Sequence, residues 1–210
     1  MGGPQPLPSV PLLRLRACRN DLVRGLLERQ PALAHAAPSC HRIHGDRGLT
    51  CYRLTPDSFF VQVRWRWVGE TWEEREVETV PGSVVALRLV LDDALPAVIT
   101  RHLDLQPTRA FGKGEVGPLV RARRDEGLWI HEVLPGAFCF AEEKVGELLA
   151  LLRGRAGWRQ VLGHRGVTWA GVTVKLRGPA ERPGGLALEP RVLEDLVGLS
   201  LGLDLEVAPE

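Results

Sequence analysis

The chain has 210 residues, 44% hydrophobic and 25% charged, with a formal net charge of +1. That is enough for one large domain or two small ones, and the balance excludes a disordered or collagen-like protein. With so little net charge, no global field draws nucleic acid or an anionic membrane to it.

Residues 1–9 are rich in Pro and Gly and lack the basic and apolar regions of a secretory signal, so they read as a disordered leader. Pro6 stands where a myristoylation signal needs Ser or Thr. No apolar run approaches the roughly 20 residues that span a bilayer, and the expectation is a cytoplasmic protein without membrane contact. From Leu13 to Arg16 the chain alternates as a strand does. Asn20 or Asp21 can then cap a helix carrying Leu22, Val23, Leu26 and Leu27 on one face, ended by Pro31. Residues 35–50 are turn-rich. Thr50–Leu54 and Phe59–Val68 are predicted strands, and the second is the firmer. There Phe59, Val61, Val63, Trp65 and Trp67 share one face, with Phe60, Gln62, Arg64 and Arg66 opposite. Gly69-Glu70 predicts a turn into a return strand over about Trp72–Val80, and Pro81-Gly82 marks an internal boundary.

Beyond that boundary Val84–Leu91 is a predicted strand. Asp92 or Asp93 is the expected cap of a helix with Leu95, Val98, Ile99 and Leu103 on one stripe, and Pro96 falls in its first turn. A long loop rich in Gly and Arg covers 106–127. A strand over Leu128–Leu134 follows, then a helix over about Ala141–Leu152 with Glu142 and Glu143 at the positive end of its dipole. Trp158, Val161 and Leu162 are expected to continue that helix. Strand Val167–Leu176, helix Pro190–Leu199 and strand Leu201–Val207 close the chain. Ser9–Leu15 also lines up with Ser83–Leu89, each leading to a short helix that ends near Gln-Pro. Duplication and chance explain this about equally. The fold class expected is α+β, with mixed or antiparallel sheets covered by helices. It is organised as an N-terminal lobe over 10–80 and a C-terminal domain over 84–210, or as two related sheet-and-helix units.

Several motifs in the second part belong together: Asp92-Asp93, Leu103-Asp104-Leu105, Gln106-Pro107-Thr108 and the Gly112-Lys113-Gly114 turn. Gly127-Leu128-Trp129 follows, then Leu186, Leu188 and Pro190 before the alternation from Leu199 to Leu205. In these the C-terminal region resembles the bacterial family known as domain of unknown function 4279, over about 125 residues. The Arg excess over Lys is likewise that of a GC-rich bacterial genome. The resemblance implies a compact α+β domain with no established enzymatic activity and no catalytic residue to carry over. By association it implies an immunity-type or partner-binding role.

Three candidate sites stand out. Cys40, His44 and Cys51 are the ligand types zinc takes, with Cys18 or His35 as a fourth, although no CxxC knuckle is present; buried thiols and surface histidines are the plainer alternative. Arg109, Lys113, Arg121, Arg123 and Arg124 surround Gly112, Gly114 and Gly117, so guanidinium forks and backbone N–H groups can hold a phosphate, a carboxylate or an acidic partner. No Ser or Thr follows Gly112-Lys113, so the Walker pattern is absent. Arg64-Trp65-Arg66-Trp67 interleaves cations and aromatics as single-strand binders do, but alternation turns the Trp residues to the core face. No nucleophile elbow or catalytic triad is legible, and paired carboxylates sit at helix starts. The sequence therefore predicts a non-catalytic module binding a protein partner, with a Cys/His metal or ligand protein as the alternative and single-stranded nucleic acid weaker still.

Overall fold

The computed structural model describes residues 6–8, 38, 40–53, 59–115, 124–135, 140–178 and 185–209. The strand and helix expected over 10–31, and with them the test of duplication, lie outside the described residues. Two compact units emerge. The first comprises Met1–Ser83, Arg177–Gly185 and Val207–Glu210; the second comprises Val84–Leu176 and Leu186–Glu206. The fold class is α+β.

The first unit is built on antiparallel hairpins. Strand β1 (Cys40–His44) pairs with β2 (Arg47–Arg53), β2 with β3 (Phe59–Val68), and β3 with the start of β4 (Thr71–Leu91). Gly45-Asp46 and Gly69-Glu70 form two-residue turns, with Gly45 at φ 61° and Gly69 at φ 63°. Glycine at the first turn position suits the right-handed twist of the paired strands and holds them in register. Thr50, Tyr52, Val61, Val63, Trp65, Trp72 and Val77 are buried. Trp72 and Val77 are five residues apart, so strict alternation would put them on opposite faces. The register instead runs Arg64↔Glu76 then Trp65↔Glu74, which leaves Arg75 as the extra residue of a bulge and returns Trp72 to the face of Val77. Within the expected leader, Leu7 is buried, and its side chain fills the space a Cβ on Gly48 would take.

Strand β4 does not stop at Pro81-Gly82, where a boundary between two strands was expected. It runs for 21 residues. Pairing with β3 ends at Phe59↔Pro81 and pairing with β6 (Gly127–Glu132) begins at Ala86↔Glu132. Proline thus sits at the last rung of the ladder, where its missing N–H is tolerated.

In the second unit the strands lie in the order β5 (Arg109–Phe111), β6, β4, β7 (Val167–Gly178), β8 (Gly202–Pro209). Val85, Leu87, Leu89 and Leu91 alternate along β4 and are buried with Trp129 of β6 and Val172, Val174 and Leu176 of β7. The core is completed by Ile99 and Leu103 of α1 (Pro96–Leu103), and by Val145, Leu148, Leu149 and Leu152 of α2 (Ala141–Arg153). Trp158 and Val161 of α3 (Trp158–Leu162) and Leu196 of α4 (Pro190–Gly198) join it. Buried indole N–H groups are satisfied: Trp129 Nε1 donates to Thr100 Oγ1 at 3.0 Å, and Trp158 Nε1 to the Leu199 carbonyl at 3.0 Å.

Several boundaries differ from expectation for local reasons. Neither Asp92 nor Asp93 caps α1. Pro96 is its first residue, and the proline ring holds Leu95 extended (ψ 131°), so Leu95 becomes the cap and is exposed rather than on the buried stripe. The long loop over 106–127 contains strand β5. Trp158–Leu162 is a separate short helix, not a continuation of α2. At the start of α2 the Glu143 carboxylate accepts the Phe140 N–H at 3.2 Å. In the closing segment Leu201 is buried, but Leu203, Leu205 and Val207 are each about two-fifths exposed.

Candidate functional site

The cationic loop of the second unit is organised by pairing of β5 with β6, in the register Arg109↔Ile130 and Phe111↔Leu128. Arg109 and Phe111, two residues apart on one strand, face the same way. The chain turns at Gly114 (φ 81°). The Gly114 N–H donates to the Arg124 carbonyl at 2.9 Å, and the Arg124 N–H to the Glu115 carbonyl at 3.3 Å. These bonds bring the Arg124 guanidinium over the Phe111 ring, with Cζ 3.4 Å from the centroid; the Arg109 Cζ is 5.6 Å away. Two cations beside one aromatic ring form an anion-seeking surface, because the ring orders the guanidiniums and leaves their N–H edges to bond.

Lys113 plays a different part. Its Nζ donates to the Asp92 carboxylate, and that bond and charge raise its pKa against an opposing loss of hydration, with lesser help from the charges of Asp93 and Asp125. The lysine therefore ties the loop to the end of β4. Of the five cations singled out in the sequence, the structure joins Arg109 and Arg124, engages Lys113 locally, and leaves Arg121 and Arg123 outside the described residues.

For the zinc candidates, Cys40 and Cys51 are register partners across β1 and β2, whereas His44 pairs with Arg47 at the far end of the strand. Four residues of strand span about 13 Å, much more than the separation of two ligands on one zinc ion. His44 is exposed and Cys51 is fully buried. Among the described residues no three His, Cys, Asp or Glu side chains gather as a metal site. Cys18 and His35 lie outside them.

In Arg64-Trp65-Arg66-Trp67 the aromatic side chains do not form a stacking platform. Trp65 is buried and donates to Thr50 Oγ1 at 3.0 Å, and Trp67 meets Trp72 edge-on at 5.1 Å. The arginines on the other face meet residues that the sequence reading did not connect. Arg42, His44, Arg47, Arg64, Arg66 and Arg75 line a cleft of about 580 Å³ together with Gly48, Leu49 and Trp65. A usable signal was present: the Gly45-Asp46 turn sets the β1–β2 register, and with the β2–β3 pairing it puts Arg42, His44, Arg47, Leu49, Arg64 and Arg66 on one face.

No helix among the described residues is long and apolar enough to cross a membrane. No curated protein and no solved structure is significantly similar to the chain. Arg109, Phe111 and Arg124 fall, with β5 and β6, within residues 79–209, which match one family model, and the chain belongs to that family, a domain of unknown function (DUF4279).

Proposed function

We propose that the protein is a non-catalytic binding module of the bacterial cytoplasm, and that its family domain holds an acidic protein partner through Arg109, Phe111 and Arg124. The reading rests on the placement of two guanidiniums, 3.4 and 5.6 Å from one ring centroid. Arg and aromatic side chains dominate interface hot spots, because a rigid planar group loses little entropy on binding. Neither side chain supplies a nucleophile or a proton donor at neutral pH, so the arrangement favours recognition over turnover. An immunity-type role, in which a bound partner is blocked sterically, fits such a surface.

The test is capture of the native partner from the host by the full chain and by Arg109→Glu/Arg124→Glu. The charge reversal is expected to abolish capture with an unchanged melting temperature, and wild-type capture is expected to weaken with added salt. Undiminished capture by the double variant overturns the assignment.

A further inference from the structure

We infer that the arginine cleft of the first unit is a binding site for a small organic anion, one carrying at least two phosphate or carboxylate groups on an apolar body. Its lining residues run from Arg42 to Arg75, ahead of the family-matched region that begins at residue 79. The strand register makes the case. His44, Arg47 and Arg66 stand side by side across three strands, and Arg42 and Arg64 flank Leu49 in the next row on the same face. Like charges directly opposite across a ladder destabilise a sheet, and Arg47 opposite Arg66 is such a pair, offset only in part by Asp46 and by Glu73 on the other side of Arg66. An anion bridging the two removes that repulsion, and guanidinium forks match phosphate and carboxylate oxygens in pairs.

Size and the placement of carboxylates select the ligand. No acid is among the nine lining residues. The neighbouring acids are peripheral: Asp46 in the hairpin turn lies 3.6 Å from Arg66, Glu76 on β4 lies 3.5 Å from Arg64, and Glu73 bonds Arg75 at 2.7 Å. An extended polyanion laid along the sheet meets this acidic rim, whereas a compact one seated at the centre does not. The rim pairs are exposed and weak, so a multiply charged ligand can compete for their arginines. Leu49, half-buried between Arg42 and Arg64, gives the cleft an apolar floor. A volume of about 580 Å³ lies within the range of small-molecule sites.

Calorimetric titration of the full chain decides the matter. The probes are ATP against inorganic tripolyphosphate, and benzene-1,3,5-tricarboxylate against citrate. In at least one pair the ligand with the apolar body is expected to bind measurably and more tightly than its bare counterpart, and the pair that responds identifies the anionic group. Arg47→Gln and Arg66→Gln are each expected to weaken that binding about tenfold or more while melting no lower than the wild type. Absence of binding by all four probes overturns the inference. So does equal affinity within both pairs, binding that both variants retain, or tighter binding of a short thymidylate oligonucleotide than of any small probe.

Discussion

Replacing Gly157 with Ala tests how closely α1 and α3 pack. Gly157 precedes α3 with φ −74° and ψ −7°, a right-handed conformation that alanine adopts without strain. Judged by backbone entropy alone, the change would stabilise by about 0.4–1 kcal/mol. The tertiary structure reverses that sign. A Cβ at this position would stand 1.8 Å from the His102 carbonyl oxygen and 2.6 Å from its carbon, atoms in the last turn of α1 that cannot rotate away. Restoring contact distance requires the two segments to separate by about 1.5 Å, disturbing the buried Leu103 and Trp158 and the 2.9 Å bond from Arg155 to the Asp104 carbonyl. Overpacking of this kind costs about 2–3 kcal/mol, a fall in Tm of roughly 5–10 °C for a chain of this length. Urea unfolding followed by Trp fluorescence measures it. Gly154→Ala is the control: φ is −75°, and the nearest atom to a Cβ is 3.5 Å away. If Gly157→Ala unfolds at the same or a higher urea concentration than the wild type, the close approach is refuted.

Two further outcomes follow from the first unit. Thr50→Val removes the hydroxyl that accepts the Trp65 indole N–H and bonds the His41 ring. It leaves a buried donor unsatisfied and is expected to cost about 1–3 kcal/mol in chemical denaturation; a loss under about 0.5 kcal/mol contradicts the bonding described. Tyr52 is the only tyrosine in the chain, so its ionisation can be followed by absorbance without overlap from another phenol. Burial, then the charges of Glu74 and Cys51, push its pKa up to about 12 from 10.0. Because the folded state favours the neutral phenol, the contribution to stability is complete below pH 10 and is lost as pH rises towards 12. A native titration midpoint at the value found in denaturant would show Tyr52 to be solvated.

Much of the architecture was legible because local patterns are strong where one face is buried. The alternation from Phe59 to Val68 identified β3 with its ends, and the helix expected over about Ala141–Leu152 is α2. The family resemblance was carried by short strings such as Gln106-Pro107-Thr108 and Gly127-Leu128-Trp129. Single-residue punctuation was less dependable. Pro81-Gly82 reads as a break, yet β4 continues through it because the ladder with β3 ends there. Asp92 reads as a helix cap, but Pro96 delays the helix and Lys113 engages the carboxylate.

Composition, periodicity and turn chemistry therefore determined the fold class and most of the elements, since these depend on neighbours a few residues away. The sites depended on register and on pairs distant in sequence. Arg109 and Arg124 meet at Phe111 only because the backbone pairs across Gly114 and Glu115. Arg42 and Arg75 share a cleft only because three successive strand pairings align them, with a bulge at Arg75 that no period-two pattern contains. Charge carries no periodicity of its own, so where cations converge is decided by the tertiary pairing that brings their strands together.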